Sequence, residues 1–242
     1  HHLLGGAKND RVPVDFWMGR GTPEDTAERV RMGLAMGFRG IKMKCELGDA
    51  IAERVAAVRE VAANFSIVLD PNERFIDLDG ARKVARSLET FDRVVLESPM
   101  PQDRLDWYVQ LRGEIPQAIA LHLTSLTQLL PALRAEAADY YNLLGPLKQF
   151  VDWASLARNA HCPTWRGTGL DLGVRDMSSV HAAAAAGCQL PSDIIGHLLR
   201  EDDLIVDPIA FVDGDLIVSH APGLGVELDR DALEKYRVPI EE

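Results

Sequence analysis

Short runs rich in β-branched and apolar residues alternate along the chain with longer stretches whose apolar positions recur every three or four residues. The short runs are VPVDFW (12–17), GIKMKC (40–45), SIVLD (66–70), RVVLES (93–98), AIALHL (118–123), YYNLL (140–144), PTWRG (163–167) and a weak last one, DIIG (193–196). Their length and composition predict strands, and the stretches between them predict helices. The helices fall at 22–37, 49–62, 78–88, 103–112, 125–136, 148–160 and 173–187. The first is the best marked, with Thr22 as N-cap, Pro23 in the first turn, acids early and Gly37 at its end. About eight strands separated by helices imply parallel strands joined by right-handed crossovers. A closed (β/α)8 barrel and an open doubly wound sheet both satisfy that pattern. A doubly wound nucleotide binder carries a glycine-rich turn after its first strand, and GRGTPED (19–25) lacks it. The expectation is therefore the α/β class as a TIM-type barrel. From about residue 200 the alternation breaks, and Asp213-Gly214 between two β-type runs predicts a small hairpin. The expected division is a barrel over 1–199 and an appendage over 200–242 packing on it.

Composition narrows the function classes. The chain has 242 residues, a length that suits one barrel of this kind. With 37 acidic against 26 basic residues the formal net charge is -11. That argues against nucleic acid or an anionic membrane as a partner, because both select a basic surface. Cys45, Cys162 and Cys188 are odd in number and far apart, which reads as buried thiols of a cytoplasmic protein rather than a disulfide framework or zinc site. No apolar run approaches a membrane span.

Candidate chemistry lies where strands end, because a barrel builds its site at the C-terminal ends of its strands. The second strand ends with Lys42 and Lys44, which share a face because side chains alternate along a strand. The third ends with Asp70 and Asn72, the fourth with Glu97 and the fifth with His122. Lys44, Asp70, Glu97 and His122 recur at intervals of about 26 residues, one strand-plus-helix unit, which puts them on one rung around a common point. Two carboxylates and a third ligand suit a divalent cation that keeps positions open for substrate oxygens. Such a cation stabilises the enediolate left when the α-proton of a carboxylate departs. Lys44 is the candidate base, with Lys42 beside it to lower its proton affinity. The plainer reading, carboxylates held in ordinary salt bridges, stays open beside this one.

GIKMK, LDPNERF and LESPMP in this order and spacing resemble the mandelate racemase and muconate lactonising branch of the enolase superfamily. LLGGAKNDRVPV and APGLGVEL are similar to that family's passages into and out of the barrel, so the resemblance spans essentially the whole chain. It implies Lys44 as base, Lys42 as its neighbour, Asp70 and Glu97 as ligands of Mg²⁺, and Asn72 as a polar neighbour of the site. The third ligand position, usually Asp or Glu, is matched by His122, which favours Mn²⁺ or another transition ion over Mg²⁺. Where the lactonising type ends its sixth strand in lysine, this chain has Leu144, with Lys148 four residues on. Where the racemase type has Asp and His on strands six and seven, it has Asn142 and Trp165-Arg166. Arg166 is a candidate carboxylate clamp and Lys148 a candidate substrate contact. The family's N-terminal α+β capping domain has no counterpart in the sequence. The chain is then a fragment or a degenerate member, and 200–242 is either part of the barrel domain or a remnant of the cap.

With one base evident, the expected activity is a divalent-metal-dependent lyase or isomerase acting on a small carboxylate, a dehydratase of a hydroxy or sugar acid before a racemase, epimerase or cycloisomerase. A barrel that has lost catalysis and serves as a structural or binding module is the rival from another class. A metal-dependent hydrolase is discouraged because VPVDFW lacks the H-x-H such sites place on the first strand. Self-association into a homo-oligomer is expected by analogy with other barrels.

Overall fold

The computed structural model describes residues 1–238; the last four residues of the expected appendage, 239–242, lie outside it. Strands β1 (Arg11–Pro13) and β2 (Phe16–Met18) open the fold. Then follow α1 (Pro23–Ala35), β3 (Gly40–Lys44), α2 (Ile51–Val61), β4 (Ser66–Asp70), α3 (Leu78–Ser87), β5 (Val94–Glu97) and α4 (Leu105–Glu114). The alternation continues with β6 (Ala118–Leu123), α5 (Leu126–Arg134), β7 (Tyr140–Leu143), α6 (Leu147–Asn159), β8 (Thr164–Arg166) and α7 (Gly173–Ala186). The end is formed by α8 (Gly196–Leu199), β9 (Phe211–Val212), β10 (Asp215–Ile217) and α9 (Arg230–Lys235).

Strands β2 to β8 pair in chain order, all parallel, as a curled seven-stranded sheet with helices outside. This is the expected (β/α)8-type barrel, with two differences. The run at 193–196 is not a strand. Pro191 has no N–H to give a ladder, and the eighth position is held by Ser192 alone. Its backbone bridges Val14 in parallel, donating to Pro13 O at 2.9 Å and accepting from Asp15 N at 3.0 Å. Its hydroxyl takes Arg166 N at 3.2 Å, so one residue ties the first barrel strand to the last. The predicted first strand also divides. Arg11–Pro13 turns away to pair with β10, and only Phe16–Met18 joins the barrel. The hairpin forms where expected, with Asp213 and Gly214 both at positive φ, the geometry of a tight two-residue turn.

The elements are well specified locally. Thr22 and Asp25 form a reciprocal capping box at the start of α1. Alternate strand residues such as Ile67, Leu69, Leu96, Ile119 and Leu121 are fully buried under the helices, meeting the apolar stripes that carry Val55, Val58, Ala81, Ala85 and Leu111. Among the described residues no helix is long and apolar enough to cross a membrane, and the three cysteines are unpaired.

Candidate active site

The second and third barrel strands, β3 and β4, are in register with Lys44 opposite Asp70. Their side chains meet: Lys44 Nζ donates to Asp70 Oδ2 at 2.6 Å and to Asn72 Oδ1 at 2.7 Å. Asn72 adopts a left-handed backbone (φ 47°), which lets its N–H turn back onto Asp70 Oδ1 at 3.0 Å. Lys42, two residues earlier on the same face, is buried. Its ammonium lies 2.9 Å from Glu97 Oε1, 3.0 Å from Asp70 Oδ2 and 3.1 Å from Asp193 Oδ2. The two lysines are thus bridged by a shared carboxylate oxygen.

The expected rung is a staircase. Glu97 pairs with Ala120, not His122, and His122 lies two residues further up β6, opposite Asn142 on β7. The stagger that closes a barrel shifts successive strands along its axis. Asn142 Nδ2 donates to Glu97 Oε1 at 2.8 Å, and His122 Nδ1 stands 3.8 Å from the same oxygen.

The charges explain one another. Burial pulls the Lys42 ammonium down, but Asp193, Glu97 and Asp70 outweigh it and hold its pKa well above the usual lysine value. Burial pushes Asp70 up, and Lys42 with Lys44 overcomes it, leaving the carboxyl below the ordinary range. Glu97 has fewer compensations. Burial pushes it up to about 7 against the pull of Lys42. Burial and then Lys42 lower His122, which keeps its imidazole neutral at pH 7.

Other expected residues lie apart from this cluster. Arg166 is buried beneath α6, its guanidinium 4.7 Å over the Phe150 ring and donating to Gly145 O at 2.9 Å; burial lowers it to about 10. Lys148 is exposed on the first turn of α6 and pairs with Asp152 at 3.1 Å. Leu144 follows β7 where the resemblance implies a lysine. The sequence reading missed Asp193, although it opens the DIIG run one strand-plus-helix unit after Arg166. That run carried so weak a strand signal that its polar first residue drew no weight.

A divalent cation was tested against the donors present. Glu97 Oε2, His122 Nε2 and Asn142 Oδ1, from three adjacent strand ends, are buried without a hydrogen-bond partner. A Cβ at Gly167 would collide with Asn142 Oδ1 and come within 3.3 Å of His122 Nε2, so glycine keeps this niche open. These oxygen and nitrogen lone pairs fit a cation in donor type. Among the described residues no three His, Cys, Asp or Glu side chains already converge as a ligand cluster, because Lys42 stands between the carboxylates.

The chain is 26% identical over 248 residues to muconate cycloisomerase 1 of Rhodococcus opacus, covering 98% of this chain and 66% of the relative. It is 26% identical over 240 residues to o-succinylbenzoate synthase of Bacillus subtilis, covering 96% of this chain and 64% of the relative. The chain thus spans slightly under two thirds of the length of these curated relatives. The crystal structure of a mandelate racemase/muconate lactonizing family protein from Azoarcus sp. EbN1 superposes with a TM-score of 0.90 at 29% identity, covering 99% of this chain and 69% of that one. The enolase C-terminal domain-like family model matches residues 25–232. The chain belongs to the enolase C-terminal domain-like family, in its mandelate racemase and muconate lactonising branch.

Proposed function

We propose that the chain carries the barrel of a divalent-metal-dependent isomerase or lyase that removes the α-proton of a small carboxylate substrate. The observation that carries this reading is the Lys44–Asp70 pair at 2.6 Å beside Glu97, on three consecutive strand ends. Relatives bear the names of a cycloisomerase, a synthase and an N-succinyl-L-Arg/Lys racemase, and enzymes of the family use a divalent metal, typically Mg²⁺. They support isomerase or lyase chemistry broadly and lend nothing to a dehydratase in particular.

Asp70, Glu97 and His122 would hold the cation. When bound, it supplies positive charge next to the substrate carboxylate, easing loss of the neighbouring proton. The chain's own residues do the rest. Lys44, a quarter exposed, is the group that reaches the mouth, and in its neutral amine form Nζ would take the proton. Asn72 fixes where that nitrogen points. Lys42 is fully engaged and holds Asp70, Glu97 and Asp193 together rather than moving protons. Leu144 stands where the resemblance implies a second lysine, which favours a one-base outcome over two-base racemisation.

That leucine, with an ammonium already among the carboxylates, also supports a second reading: a barrel retained for binding or shape. Calorimetric titration of metal-free protein with Mg²⁺ and then Mn²⁺, run beside Asp70→Asn, decides between them. The expected result is saturable binding, Mn²⁺ tighter than Mg²⁺ because of His122, and lost in the variant. Absence of binding for both ions leaves the non-catalytic reading.

A further inference from the structure

The interior of a (β/α) barrel is ordinarily filled by layers of bulky side chains. Here the layer beneath the carboxylate cluster is hollow. A cavity of about 360 Å³ opens at the N-terminal ends of β4 to β7 and reaches up to Lys42 and Asp193. Its walls are Val68, Val95, Ala118, Tyr140 and Trp165. The first four are only half-buried, whereas their alternating neighbours Ile67, Leu96, Ile119 and Tyr141 are fully buried. Small inward residues therefore leave a space of the size that holds small ligands, apolar with few polar groups.

The polar group is Asp15, at 4% exposure. Its carboxyl forms no ion pair among the described residues, and the one hydrogen bond shown to it is a long one, from Ser66 Oγ at 3.5 Å. Burial pushes its pKa up to about 7. Lys42 is engaged elsewhere: its ammonium donates to Glu97 at 2.9 Å and Asp193 at 3.1 Å and lies 3.0 Å from Asp70. The chain makes room for the acid: a Cβ at Gly40 would collide with both Ser66 Oγ and Asp15 Oδ1. A carboxyl kept in an apolar hollow with unfilled acceptor capacity is costly unless something donates to it.

We propose that this lower cavity is a ligand site separate from the strand-end cluster, taking a small primary ammonium whose head donates to Asp15 and Ser66 and whose apolar body packs between Val68, Val95 and Trp165. The charge above does not repel it. Lys42 is enclosed by three carboxylates, and Asp193 acts on Asp15 more strongly than Lys42 does. The Trp165 and Tyr140 rings suit a cation's flank. Arg93 at the rim is turned outward, donating to Asn64 O at 3.1 Å. The site does not depend on the proposed catalytic function.

The test is calorimetric titration of the whole chain with n-butylammonium chloride, against n-pentanol as the uncharged probe. Expected are saturable amine binding, weaker binding of the alcohol, and at least about a tenfold loss in Asp15→Asn, the scale of one charged hydrogen bond. Val95→Phe, which fills the cavity, should abolish binding, and Lys44→Ala should leave it unchanged. Should Asp15→Asn not fold, Ser66→Ala reads the same contact. No saturable amine binding to the wild type overturns the proposal. So does binding that survives Val95→Phe, or that Lys44→Ala strengthens or removes, since the latter puts the amine in the upper site.

Discussion

Asp15 and Asp70 are both buried aspartates facing the barrel interior, and they titrate in opposite directions. For both, burial raises the pKa; Asp70 has two ammonium partners that reverse it, whereas a long hydrogen bond from Ser66 and the more remote charges of Lys42 and Arg39 do not offset burial at Asp15. The signs follow from linkage. Asp15 binds its proton more tightly folded than unfolded, so stability falls as pH rises from the ordinary value of 3.8 to about 7, then levels off. Asp70 contributes stability above its ordinary pKa, lost as pH falls through its lower folded value. Asp15→Asn should therefore match the wild type near pH 4 and exceed it at pH 8, by at most ~4 kcal/mol. Urea unfolding of both proteins at the two pH values checks this; equal stability at pH 8 would remove the claim of a strained acid. At the niche, Gly167→Ala places a methyl against Asn142 Oδ1. A stability loss of about 1–3 kcal/mol should accompany weakened Mn²⁺ binding, read by calorimetry. Unchanged Mn²⁺ affinity would move the cation away from His122.

At the scale of elements, Arg54 shows what periodicity carries and what it hides. It lies on α2 between buried Ile51, Val55 and Val58, on the apolar stripe, and is itself 1% exposed. Its guanidinium donates to Thr26 Oγ1 at 3.1 Å, Lys44 O at 2.8 Å and Gly19 O at 3.1 Å, tying α1, β3 and the end of β2 together. Arg54→Met should keep the bulk but strand those acceptors, costing about 2–4 kcal/mol. Chemical denaturation reads the loss, and a change under about 0.5 kcal/mol, the usual range for surface substitutions, would show that the bonds are incidental. The alternation of strand and helix was legible because each element's burial follows its own period: β4 and β6 span the same residues in sequence and structure. Lys42, Lys44, Asp70 and Glu97 were legible because strand ends recur at a fixed interval. Three features were not. The eighth strand shrinks to Ser192, since a single bridging residue has no period. The offset of His122 from Glu97 is barrel shear, a property of the closed sheet. Asp15 read as part of a strand pattern, and its isolation follows from which neighbours closure brings near.

Taken as a whole molecule, the described part of the expected appendage, 200–238, shares one core with the barrel. The segment 200–238 inserts Ile205, Ile209, Leu216 and Val218 into the same core as the barrel. Its β10 is the pairing partner of β1, and Val14 N, at the entry to the first barrel strand, donates to Gly214 O at 3.0 Å. Asp203 supplies the cap that Leu172 cannot, accepting Gly173 N at 2.8 Å at the start of α7. Ile205 packs so closely on Gly173 that a Cβ there would overlap it. Four buried aliphatic side chains at about 1.5–3 kcal/mol each amount to ~6–12 kcal/mol, comparable with the whole stability of a typical domain. A chain ending at Leu199 should therefore not fold cooperatively. It should show no sigmoidal melt by circular dichroism and should bind a dye that reports exposed apolar surface. A cooperative melt within about 3 °C of the full chain, the shift about 1 kcal/mol makes in a domain of this size, would mean that 200–238 is an addition to a barrel complete without it.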